Sequence, residues 1–162
     1  MKAISIKQPW ASLICTPRKD NPTKGIKDIE NRSWKLPEKY IGQRVLIHAS
    51  GKPDKEPYML FNDDQINCIG DRIMDVCASY HLKSAIIGSV QLVGCEINHP
   101  STWAEKSTGV FVSNTFVHKP EDKPIYNWIL ANHILFPEPI PCKGKLSFWD
   151  YPGIINDNEY LR

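Results

Sequence analysis

The sequence predicts an α+β protein, a mixed sheet or small barrel of about six or seven strands with two helices packed outside it. Three observations carry this. Short apolar or alternating runs recur along the chain, as strands require. Only one long stretch, Asp63 to Tyr80, repeats at helical spacing. The later runs are separated by polar or proline-rich loops instead of helices, so the regular βαβ alternation of a parallel sheet does not arise.

Lys2 to Lys7 alternates as a strand, and Gln8-Pro9-Trp10 then opens a short helix through Ile14. Pro9 suits the first helical position, where its missing N–H is harmless. Residues 16 to 25, TPRKDNPTKG, are rich in turn formers and charge and read as an exposed loop. Residues 25 to 34, GIKDIENRSW, follow as a strand. Its alternation puts Asp28, Glu30, Arg32 and Trp34 on one face and Ile29, Asn31 and Ser33 on the other.

Arg44 to Ser50, RVLIHAS, is short and apolar enough for a buried strand ending at Gly51. From Asp63 to Tyr80, Ile66, Ile69, Ile73, Val76 and Cys77 recur along one long helix, after an Asn-Asp-Asp start that suits a helix N-terminus. Ser84 to Val93 is the strongest β run, and Gly88 inside it signals a bulge or a close backbone approach. GVFVSNTFV, YNWILA and GKLSFWDY read as further strands, with HKPEDKP and FPEPIPCKG as loops between them. No internal repeat, low-complexity tract or second domain is visible, so residues 1–162 are expected to form one domain.

At 162 residues, 41% hydrophobic and 23% charged, the chain has the composition of a soluble globular protein that needs no covalent staple. MKAISIKQPW offers neither a signal-peptide core nor a membrane span, so the cytoplasm is the expected location and no membrane partner is expected. Cys15, Cys68, Cys77, Cys95 and Cys142 form an odd set with no close pair, which argues for reduced thiols and against a cysteine zinc site. The Asn31-Arg32-Ser33 sequon then carries no meaning. Net charge is +2, too small for tight nonspecific nucleic-acid binding. Its distribution is uneven, because residues 1–55 hold 12 Lys and Arg against 5 Asp and Glu, as a phosphate-facing surface needs.

Gly-x-Gly-x-x-Gly, Walker, Gly-x-Ser-x-Gly and Ser-x-x-Lys patterns are all missing, which removes the usual warrants for dinucleotide, nucleoside triphosphate and serine-hydrolase chemistry. The five histidines include no pair at helical ligand spacing, and neither a metal nor a cofactor is expected. What remains is a polar cluster: Lys27, Glu30 and Arg32, with Gln8 and Trp10 near in sequence and His48 and Ser50 ending a strand. Singly, each has an ordinary structural reading. Together, an aromatic face, a carboxylate and two cations could stack a base, accept from its amino edge and hold a phosphate.

KQPWASLI, GIKDIENRSW, RVLIHAS, AIIGSV, WAE, YNWILAN and PIPCKGKLSFWDY resemble the successive blocks of an ASCH-domain protein of the PUA-like superfamily, from Lys2 to Tyr151. The most specific block is Gly-x-Lys-x-x-Glu-x-Arg, here Gly25, Lys27, Glu30 and Arg32. The resemblance implies a PUA-like mixed β-barrel with flanking helices and a cleft beside the first helix lined by that pattern, with TPRKDNPTK, residues 16–24, beside its mouth as either a phosphate-contacting loop or a surface insertion. It also implies RNA or a modified nucleoside as partner, with Lys27 meeting a phosphate and Glu30 and Arg32 reading a base. An enzyme is the rival reading, either a metal-independent ribonuclease with Lys27 and Glu30 catalytic or a nucleoside amidohydrolase of the N4-acetylcytidine type. That amidohydrolase subgroup has a threonine nucleophile where this chain has Glu30, and a carboxylate cannot replace a hydroxyl in an ester-forming cycle. A third reading is a protein-interaction module whose cleft receives a peptide carboxylate or phosphate.

Overall fold

The computed structural model describes residues 1–55 and 60–155. Strand β1 (Lys2–Ile6) leads into α1 (Trp10–Cys15), and β2 (Ile29–Arg32) follows a loop closed by a bridge between Pro17 and Gly25. Then come β3 (Arg44–Ala49), α2 (Asp63–Ile69), α3 (Ile73–Ser79), β4 (Ala85–Glu96), β5 (Val110–Val112), β6 (Thr115–Val117), β7 (Tyr126–Pro141) and β8 (Phe148–Asp150). Six strands form one mixed sheet in the order β2-β7-β4-β3-β1-β8, and β5 pairs with β6 in a separate hairpin. Within the sheet β1 runs parallel to β3 and the other pairings are antiparallel. The expected α+β class and mixed sheet are therefore what the chain forms.

The sheet curls into a half-barrel. Arg32 Nη2 on β2 donates to Ser5 O on β1 at 3.1 Å, although β7, β4 and β3 separate those strands. Trp34, just past β2, also stands edge-on to Phe148 of β8, with ring centroids 5.9 Å apart. Helix α1 does not pack outside the sheet, as the sequence suggested, but lies inside the curl, because Ala11 to Cys15 are all buried and Ile14 packs with Ile4, Val45, Ile47, Ile87 and Leu92. This placement explains why RVLIHAS is apolar almost throughout. Val45, Ile47 and Ala49 of β3 join that inner cluster, while Leu46 joins Ala3, Ile86, Phe136 and Trp149 on the outer face.

Four local expectations need correction. The run from Asp63 to Tyr80 is not one helix: α2 ends at Gly70, whose φ of +59° is a conformation glycine tolerates, and a 3-10 turn leads into α3. GVFVSNTFV is not one strand but the β5–β6 hairpin, with Ser113 and Asn114 both at positive φ, the requirement of a two-residue turn. FPEPIPCKG is strand as far as Pro141, because β7 stays paired with β4 there, Ile140 opposite Ile86 and Pro141 opposite Ala85, well past Ile129 where its pairing with β2 ends. Pro137, Pro139 and Pro141 then lack no ladder hydrogen bond on the outer side. The strands thus number eight among the described residues, and the α-helices three.

Other signals hold. Asn62 caps α2 by accepting from Gln65 N while the Gln65 side chain accepts from Asn62 N, so Asn62→Ala should lower stability by about 1 kcal/mol in chemical denaturation. A Cβ on Gly88 would stand 2.2 Å from Ile134 O and 2.7 Å from Cys15 Sγ, and the β4 register shifts between Ile86 and Gly88. Both a bulge and a close approach are present there. All five cysteines are free, and among the described residues no helix is long and apolar enough to cross a membrane.

Candidate functional site

The curl leaves a cleft of about 630 Å3 between β1, β2, the start of α1, α2 and the segment around Trp103. Its floor is built from the motif outward. Gly25 must pass between α1 and β7, since a Cβ there would lie 2.3 Å from Ile14 O and 2.5 Å from His133 Nδ1. Beyond it, Ile26 N donates to Thr16 O at 2.9 Å and Lys27 N to Leu13 O at 3.0 Å, pinning this run to the end of α1. Lys27 is thereby turned into the cleft, two residues before β2 begins.

The Lys27 ammonium lies beneath Trp10, 5.9 Å from the ring centre, donates to Ile29 O and stands 3.3 Å from Glu30 Oε2. Glu30 Oε1 is 3.0 Å from Arg32 Nε, so one carboxylate is held between two cations. Lys27 is 3% exposed and Glu30 8%. At that burial an unpaired charge is costly, and each member needs the others. Arg32 is less buried, and its guanidinium stands 5.9 Å from the centre of the Trp128 ring. Its Nε has no aligned acceptor, so the contact with Glu30 is ionic rather than a full hydrogen bond.

The walls are aromatic and amide-rich. Trp10, Phe61 and Trp103 meet edge-to-face in series, at 5.7 and 6.3 Å. Trp10 Nε1 donates to Asp54 Oδ2 at 2.9 Å, whereas Trp103 Nε1 is buried with no acceptor among the described residues. The Trp103 segment is tied to β2 by amides: Asn31 Nδ2 donates to Trp103 O at 2.9 Å, and its Oδ1 accepts from Glu105 N at 3.1 Å and from Asn127 Nδ2 at 2.9 Å. Lys7, its side chain 58% exposed, Glu105 and Leu146 complete the rim.

Of the residues singled out in the sequence, Lys27, Glu30, Arg32, Trp10 and Ser50 line the cleft. Gln8 and His48 do not. Gln8 is fully buried and serves α1, accepting from Ser12 N at 3.1 Å and donating to Ser12 Oγ at 2.8 Å. His48 is 1% exposed, with Nε2 3.1 Å from Cys142 O and Nδ1 3.1 Å from Ser5 Oγ. Strict alternation also fails at the ends of the motif: Asp28 accepts from Ser101 Oγ at 2.6 Å, and Trp34 packs on Trp128, neither in the cleft. Residues 16–24 line no part of it. Asn31, Asp54, Asn62, Gln65, Trp103 and Glu105 were missed; of these only Trp103 and Glu105 carried any signal, in the WAE block.

Burial holds the His48 and His133 imidazoles below the ordinary histidine range by disfavouring their charged forms. With folded values depressed, the unfolded chain binds protons first as pH falls. The stability these two groups contribute is therefore fully present above about pH 6.5 and is lost as pH drops below it. The thermal midpoint should fall between about pH 7 and pH 5, and His48→Gln should flatten that fall. Asp20, Asp71 and Asp150, which cationic partners hold low, titrate beneath this window. An unchanged slope in the variant would remove His48 as a source.

Among the described residues no group of three or more His, Cys, Asp or Glu side chains is arranged to hold a metal. No protein-family model matches the chain, and no curated protein matches it.

Proposed function

We propose that the chain is an ASCH-type domain of the PUA-like superfamily that binds RNA or a modified nucleoside in the cleft around Lys27, Glu30 and Arg32. The observation that carries this reading is the Glu30 carboxylate, held between two cations inside a cleft of nucleoside size and walled by tryptophan. A base offers a flat apolar face and an edge of alternating donors and acceptors. Tryptophan suits the face, the carboxylate accepts from an amino or imino group, and the guanidinium donates to a ring nitrogen or carbonyl.

The burial of Lys27 changes the division of labour expected from the sequence. Its ammonium is engaged by Ile29 O and Glu30, so it orients the carboxylate, and the exposed Lys7 on the rim, only loosely paired with Asp54 Oδ1 at 3.9 Å, is the cation placed for a phosphate. The half-barrel closed by α1 and the order of the sequence blocks support the superfamily assignment.

Tryptophan fluorescence tests the reading. Titration with the four nucleoside 5′-monophosphates and with a short single-stranded RNA should give saturable quenching, part of which disappears in Trp10→Phe. No quenching by any of them would overturn it. Cleavage of the RNA over hours in a chelator would replace binding with hydrolysis, and Glu30→Gln should then bind without turnover.

A further inference from the structure

A second cleft, of about 610 Å3, is lined by Phe111 and Phe116 of the hairpin, His118 just beyond it, Tyr126 of β7, Lys35 and Glu96. The sheet register places it beside the first. Arg32 and Tyr126 are directly opposed in the β2–β7 pair, so their side chains leave the same face with Cβ atoms about 5 Å apart. Arg32 lines the first cleft and Tyr126 the second.

Its surface has the features of a stacking platform. The Phe116 and His118 rings lie 26° from parallel with centroids 6.1 Å apart, and Phe111 meets Phe116 at 5.1 Å while remaining 58% exposed. Bases stack on such rings whatever their identity. The Lys35 side chain is 64% exposed and pairs with Glu38 Oε1 only at 3.9 Å, a solvent-exposed contact that a phosphate can replace. Glu96 adds an acceptor for an exocyclic amino group.

We infer that the second cleft holds the nucleotide flanking the one bound in the first, so the ligand is a single-stranded RNA segment of two or more nucleotides rather than a free nucleoside. This rests on the reading of the first cleft given above. A free nucleoside engages the first cleft alone and has no use for a second ring stack with its own cation one residue pair away.

The test compares a mixed-sequence RNA nonamer with the four nucleoside 5′-monophosphates by calorimetry, on the wild type, Phe116→Ala and Lys35→Ala. The nonamer should bind about tenfold or more tightly than any monophosphate, and Phe116→Ala should lose about tenfold for the nonamer only. Lys35→Ala should make the slope of log K against log salt shallower by about 0.7, which a purely structural role would not do. Thermal unfolding of each variant shows whether the hairpin change spreads to the sheet, and Lys35→Ala carries the test if it does. Monophosphate binding with no gain for the nonamer, or a nonamer affinity and salt slope indifferent to both variants, would overturn this inference and leave the first-cleft reading standing. No binding of either probe by the wild type would overturn both.

Discussion

Lys27→Met is expected to lower stability by about 3 kcal/mol, although it keeps most of the side-chain volume. The ammonium is nearly sealed from water and faces Glu30 Oε2 at 3.3 Å, so its removal leaves a buried carboxylate with Arg32 as its remaining cation. Breaking one side of a buried ion pair costs about 3–5 kcal/mol, and the surviving Arg32 contact places this site at the low end. Lys27→Met combined with Glu30→Gln removes both charges and should recover a large part of the loss. That non-additivity distinguishes a lost charge partner from a lost packing contact. Urea denaturation of the three variants checks it, and a single-variant effect below about 0.5 kcal/mol would show that the pair is not coupled.

Gly25→Ala should cost about 3 kcal/mol for a different reason. Its Cβ would collide with a backbone oxygen, Ile14 O at 2.3 Å, as well as with the His133 ring, so relief requires α1 and β7 to separate. Because Lys27 is positioned by hydrogen bonds two residues later, the same change should displace it and weaken cleft binding. The glycine of the motif is thus explained by packing, and Lys27, Glu30 and Arg32 by the cleft. A variant with wild-type denaturation midpoint would contradict the close approach.

The strands β1, β3 and β4 were legible because their side chains report burial directly: Ala3, Ile4 and Ile6 in β1, and a β3 run covered on both faces. Where local pattern and backbone diverged, the reading failed. The helical periodicity continues across Gly70, and Ile69 and Val76 do share one core cluster, yet the positive φ there interrupts the helix. Three alternating prolines look like a loop until β7, paired with β4 beyond the end of its β2 ladder, supplies a place for them. Within the site, Glu30 and Arg32 followed from strand parity, whereas Lys27 enters from non-strand backbone and Asp28 turns to Ser101. Gln8 and His48 are near the motif in sequence or topology, but their hydrogen bonds commit them to the interior. Asn62, Gln65 and the amide clamp of Asn31 on Trp103 arise from contacts across the chain, for which no short stretch carries a signal.

Arg32 gives the most direct measurement, since it is the most accessible of the three motif charges and reaches both Glu30 and Ser5 O. Nucleotide and RNA affinity should be measured by calorimetry for wild type, Arg32→Ala and Arg32→Lys, each with its thermal midpoint. The account predicts a wild-type complex, a loss of about tenfold or more in Arg32→Ala, and incomplete recovery in Arg32→Lys, because a lysine cannot reproduce the guanidinium fork. Wild-type affinity in a folded Arg32→Ala would contradict the assignment of this cleft as the ligand site.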